Sequence, residues 1–151
     1  MLLIKNNFKL CLIILMFCSC FSIQGGENLS SNEALISSAN MAAKSGNHDS
    51  ALIALNSVIA KDPTLARAYK LRGHVHYARG DYKQAFYDLD QVIALSPNSA
   101  NAYADRAIVN SMLNRHGAAL SDIEYALTLS PRSEFCKAVR NRILESASGE
   151  K

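Results

Sequence analysis

Four kinds of side chain in this chain could carry chemistry, and their spacing decides what each can do. His74 and His76 could ligate a metal, but they stand two apart on a predicted helix, so their side chains diverge. Asp88 and Asp90 could share acid–base work, but they have the same two-residue offset and do not face each other. His48 and His116 fall in predicted turns. The body of the chain holds one cysteine, Cys136, which cannot form an internal disulfide and reads as a small buried hydrophobe. There is no Gly-rich phosphate loop, nucleophile elbow or zinc-spaced Cys/His cluster. The reading is therefore of no catalytic residues, no metal and no cofactor. Two charged pairs remain. Arg72 and Asp88 recur as Arg106 and Asp122, 34 residues on, while the equivalent earlier positions hold Ser38 and Ala54. A pair repeated at a fixed interval marks scaffold geometry, so an ion pair between two helices of one unit is expected.

The 34-residue interval organises the whole body. The only three prolines, Pro63, Pro97 and Pro131, are spaced by it. Each ends a similar phrase, from Val58, Val92 and Ala126 onward. Ala51, Ala85 and Ala119 recur likewise, as do Leu55, Leu89 and Ile123, and the small residues Ala39, Gly73 and Ala107. Each unit splits into two segments of about 14 residues with apolar residues at helical spacing. Gly80-Asp81 supplies a turn and an N-cap, and Asn47 and Asn114 serve similarly. Proline stops each second helix, because it biases its predecessor away from helical geometry. Ser30 and Glu33 form a capping box for the first helix. Ser133 can cap a last one, with Phe135, Val139 and Ile143 on its apolar face.

On these residues the chain resembles the tetratricopeptide repeat (TPR) family. The middle unit, 66–99, carries the likeness best: Ala66, Ala68, Tyr69, Arg72, Gly73, Tyr77, Gly80-Asp81-Tyr82, Ala85 and Pro97. The unit at 100–133 has Asn114-Arg115 in place of Gly-Asp, and the unit at 32–65 is degenerate. The expected fold is all-α: a solenoid of three helix-turn-helix repeats closed by a capping helix within 134–151.

The resemblance implies that the first helices of the units line a concave face. It places Glu33, Ile36, Asn40 and Lys44 there, then Arg67, Lys70, His74 and Tyr77, then Asn101, Ala104, Ile108 and Met112. Arg67, Lys70 and His74 make the centre modestly basic. An extended peptide with an acidic side chain or free carboxylate would suit it. The competing reading is an ordinary solvated helix face. Some family members hold chaperone C-terminal tails in a carboxylate clamp. Asn40 matches one clamp position, but Ile36, Leu71, Asn101 and Asp105 occupy the others, and Asp105 stands where an arginine is needed. That ligand is therefore not expected.

The N-terminal segment reads separately. Residues 1–20 contain Lys5 and Lys9, no acid, an apolar run from Leu10 to Phe17, then Cys18, Ser19 and Cys20. This is the pattern of a secretory signal peptide. Phe17-Cys18-Ser19-Cys20 resembles a bacterial lipobox with Cys20 as the lipidated residue, although Phe17 stands where leucine is usual. Cleavage near Ser22 or Gly25 competes, and so does an uncleaved anchor. Residues 21–31 read as a tether. Either way the protein is expected to be exported to the cell envelope, touching membrane only through this segment or its lipid.

Beyond residue 20 the chain carries 14 basic and 13 acidic residues, a balance with no basic stripe for nucleic acid. At 49% hydrophobic and 19% charged it has apolar surface enough to fold. The functional expectation is a non-enzymatic scaffold that binds a protein or peptide. Self-association through the first repeat or the cap is the alternative.

Overall fold

The computed structural model describes residues 31–149. The expected signal segment with Cys20, nearly all of the tether, Ser30 of the capping box and the last two residues lie outside them. Among the described residues there are seven helices and no strand. They are α1 (residues 31–44), α2 (His48–Lys61), α3 (Ala66–Arg79), α4 (Tyr82–Leu95), α5 (Ala100–Met112), α6 (His116–Leu129) and α7 (Glu134–Ser148). The fold is an all-α solenoid of paired helices, α1–α2, α3–α4 and α5–α6, closed by α7. None of these helices is long and apolar enough to cross a membrane.

The prolines set the helix ends. α2, α4 and α6 each stop two residues before one, at Lys61, Leu95 and Leu129. The intervening Asp62, Ser96 and Ser130 are turned out of helical geometry, with φ between −139° and −143°. Their N–H groups still donate to Val58, Val92 and Ala126, so the chain leaves each helix without an orphaned donor.

The turn within each unit needs one residue at positive φ. Gly46 and Gly80 supply it at +81° and +83°, and Asn114 does so at +58°. Asparagine is the residue that best tolerates the left-handed region after glycine. This corrects the expectation that Asn114 is an N-cap, since it takes the glycine's place and Arg115 follows as N-cap. Asp81 does stand at the N-cap of α4, but its side chain makes no cap hydrogen bond. Its carboxylate lies instead 3.3 Å from Arg79 and 3.6 Å from His76. Asn47 and Ser133 do cap, accepting from the Ser50 and Cys136 amides.

The core is the repeat written in three dimensions. Ala51, Ala85 and Ala119 are fully buried, as are Leu55, Leu89 and Ile123 to within 1%. Ala68, Ala102 and Cys136 form another fully buried set. Small residues permit the close helix approach. A Cβ on Gly73 would lie 3.3 Å from the Asp88 Cβ and 3.4 Å from the Leu89 Cγ. Each large aliphatic buried here contributes about 1.5–3 kcal/mol. On α7 the buried stripe is Cys136, Val139 and Ile143. Phe135, expected on that stripe, is 47% exposed, because it lies one residue off the line that faces α5 and α6.

Candidate functional site

Every second helix of the array contributes to one continuous face. Between α1 and α3 lies a cavity of about 190 Å³ bounded by Ile36, Asn40, Arg67, Lys70, Leu71 and His74. Farther along, α3, α5 and α7 enclose another of about 250 Å³. Its walls are Tyr77, Ile108 and Phe135, and buried Gly73, Leu89 and Val109 form its floor. His74 borders both, so the two form one groove with a polar half and an apolar half.

Acids temper the polar half. Arg67 donates to Glu33 at 2.7 Å. A single Asp105 oxygen faces both His74, at 3.1 Å, and Lys70, at 3.5 Å. The basic centre read from the sequence is therefore partly offset from within. The Arg67–Glu33 pair is open to exchange. The Arg67 and Glu33 side chains are 63% and 49% exposed, and ion pairs in that setting are worth about 0–1 kcal/mol. An incoming carboxylate can displace Glu33 at little cost.

The other sequence-derived groove residues divide. Asn40 and Ile108 are half-buried and line the cavities. Tyr77 is exposed and touches the Tyr82 ring at 5.6 Å between centroids. Lys44 is exposed and in no ion pair among the described residues, and Asn101 is exposed but borders neither cavity. Ala104 is a correction: it is fully buried against the α5–α6–α7 core and presents no surface. Phe135 was missed. Counting back 34 residues leads to Asn101 and then Arg67, both assigned to the groove face, and that register pointed to it.

The repeated charged pairs hold the frame behind this face. Arg72 grips Asp88 through Nε at 3.0 Å and a second nitrogen at 2.6 Å. Arg106 grips Asp122 in the same way, at 3.0 and 2.6 Å. The aspartates are 4% and 8% exposed. Hydrogen bonding to Asp88 holds the Arg72 guanidinium above its ordinary pKa, with burial opposing, and Asp122 does the same for Arg106. Each arginine also reaches backward, which the sequence reading did not foresee. Arg72 donates to Asn56 at 2.7 Å and Arg106 to Asp90 at 2.6 Å. Each guanidinium thus joins the second helices of two successive units. No group of three or more His, Cys, Asp or Glu side chains suited to a metal occurs among the described residues.

Comparison with known proteins agrees with this geometry. A family profile described as TPR repeat matches residues 73–114. No curated protein sequence matches the chain. Among solved structures, the Arabidopsis OM64 TPR domain is similar, with 22% identity and a TM-score of 0.72 over 78% of this chain and 98% of that one. The first TPR of Spaghetti (RPAP3), solved bound to the HSP90 peptide SRMEEVD, has 20% identity and a TM-score of 0.72, covering 78% and 93%. A Thermobaculum terrenum O-GlcNAc transferase also matches, at 24% identity and a TM-score of 0.72, over 78% of this chain but 22% of that one. At these identities the likeness establishes the shared helical array.

Proposed function

We propose that this chain is a non-enzymatic scaffold holding an extended segment of a partner protein along the α1–α3–α5–α7 face. The observation that carries this is the groove of two joined cavities meeting at His74. The polar half offers a carboxylate the exposed, exchangeable Arg67, with Lys70 and His74 beside it. The apolar half offers Tyr77, Ile108 and Phe135 to a side chain a few residues away. That the first TPR of Spaghetti was solved with a peptide supports this mode of binding. Its ligand is not assigned to this chain, because Asp105 stands where the clamp requires an arginine. The test is a pull-down with wild type and with the triple variant Arg67→Ala/Lys70→Ala/His74→Ala. Equal recovery of partners by both would sink the reading.

The site of action proposed is the cell envelope, on the strength of the basic, apolar and small-residue order of residues 1–20. Intact mass of the protein from its native membrane fraction tests it. A start at Cys20 with added lipid, or a start near Ser22 or Gly25, would identify the route. An unprocessed chain in the soluble fraction would contradict export.

Self-association is the second reading, favoured by Leu144 and Phe135, which are 48% and 47% exposed on the last helix. A monomer over a wide concentration range would remove it.

A further inference from the structure

A second recess lies away from the groove, beside the turns that join α3 to α4 and α5 to α6. Lys83, Phe86, Tyr87, Leu113 and Arg115 enclose about 260 Å³, and none of them borders either groove cavity. It adjoins another recess of about 380 Å³ through Lys83 and Leu113.

Its electrostatics differ from those of the groove. There Arg67 and Lys70 each face an acid. Here neither Lys83 nor Arg115 has a carboxylate within ion-pair distance among the described residues. Lys83 sits in the first turn of α4 and Arg115 is the N-cap of α6. Neither first turn contains an acid, and Arg115 provides no cap hydrogen bond. A helix N-terminus carries partial positive charge, so a cation there has the unfavourable sign. Asp81, the nearest acid in sequence, is engaged by Arg79 and His76. Asp81 offsets the end of α4, whereas the end of α6 is capped by a cation, and neither Lys83 nor Arg115 is held by a carboxylate among the described residues.

The apolar wall is equally specific. The Arg115 guanidinium lies 5.5 Å from the Phe86 ring centroid, which fixes its direction. Tyr87 meets Phe86 edge-on at 6.0 Å yet is 63% exposed. Leu113 closes the opposite side. A carboxylate flanked by an apolar side chain matches cations on one side and these rings on the other. Nucleic acid does not match, since two cations make no stripe along a backbone.

We propose that this recess is a second docking site, taking an acidic segment of a partner protein whose carboxylate neighbours an aliphatic or aromatic side chain. The site is independent of the groove, so one chain can hold two partners at once.

The probe is a peptide of alternating glutamate and leucine, blocked at both ends and titrated into ¹⁵N-labelled protein. The expected result is shift changes at the Lys83, Tyr87, Leu113 and Arg115 amides. A matched lysine–leucine peptide should leave these unmoved. Lys83→Glu/Arg115→Glu should weaken binding by about tenfold or more, while the groove triple variant should not. Both substitutions are at exposed positions, and circular dichroism checks that the fold persists. Should the double variant unfold, Lys83→Gln and Arg115→Gln singly carry the same expectation of weaker binding. Shifts confined to Asn40, His74 and Ile108, no shifts at millimolar peptide, or unchanged affinity in the charge variants would each overturn the proposal.

Discussion

Arg106 and Asp122 meet through two hydrogen bonds, at 2.6 and 3.0 Å, across the interface of α5 and α6. The same carboxylate accepts from the Asn110 amide at 3.0 Å. Arg106 also reaches Asp90, sixteen residues earlier, as Asp122 stands sixteen later. Arg72 repeats the pattern between Asn56 and Asp88. One side chain thereby sets the rotation within a unit and the stacking between units.

Asp122→Ala leaves a largely buried guanidinium with only the half-exposed Asp90 as acceptor, and a buried side-chain amide with none. Stability should fall by about 3–5 kcal/mol in urea unfolding. Asp90, with a side chain 50% exposed, should cost under about 1 kcal/mol when replaced by alanine. Replacing both members, as Arg106→Met/Asp122→Leu, should recover much of the loss, because no charge is then stranded. A double variant no more stable than Asp122→Ala would contradict this account.

At Gly73 two effects oppose each other. Alanine gains about 1 kcal/mol of helix propensity, but its Cβ arrives 3.3 Å from that of Asp88. Gly73→Ala should therefore stay within about 1 kcal/mol of wild type. Gly73→Leu should lose about 1–3 kcal/mol by overpacking the α3–α4 contact. The urea midpoints of the two variants decide it.

Asp62 closes the turn after α2 by accepting from both the amide and the hydroxyl of Thr64, at 3.0 and 2.7 Å. The hydroxyl bond, then the amide bond, holds its carboxyl below the usual range. A lowered carboxylate contributes stability that is present above the unfolded value, about pH 4, and is lost as pH falls through the folded value. Thr64→Val removes the larger cause and should move the Asp62 titration upward. Side-chain carboxyl NMR reads this directly, and an unmoved midpoint would refute it.

Asp105 offsets both Lys70 and His74 from one oxygen. Asp105→Asn removes the negative charge beside Lys70 and His74 and should tighten binding of an acidic groove partner several-fold. Calorimetry on the partner recovered by pull-down tests it. Weaker binding would mean that Asp105 itself holds the ligand.

Much of the fold is legible because a repeat states its own geometry. Pro63, Pro97 and Pro131 mark where three helices must stop, and the matched alanines and leucines mark what they bury. The groove was legible only in part. Arg67, Lys70, His74 and Ile108 are placed there by the family resemblance, which also places Ala104 on that face, although the structure packs it inward. Phe135 escaped because it was read with the apolar stripe of α7, whose buried line runs through Cys136 instead. The acidic partners of the groove cations lie 31 to 35 residues away in neighbouring units, beyond any pattern local to one helix.

By itself, then, the sequence determined the period, the helices and the identity of their buried faces. These depend on spacing along one chain, where 3.6 residues per turn and the conformational limits of proline act locally. Only the tertiary structure decided what lies across each interface. It gave Arg72 and Arg106 their backward reach, set Asp105 between Lys70 and His74, and left Lys83 and Arg115 without an acid among the described residues. Such contacts depend on how one unit is rotated upon the next. That rotation is fixed by packing summed over many side chains, and no single spacing encodes it.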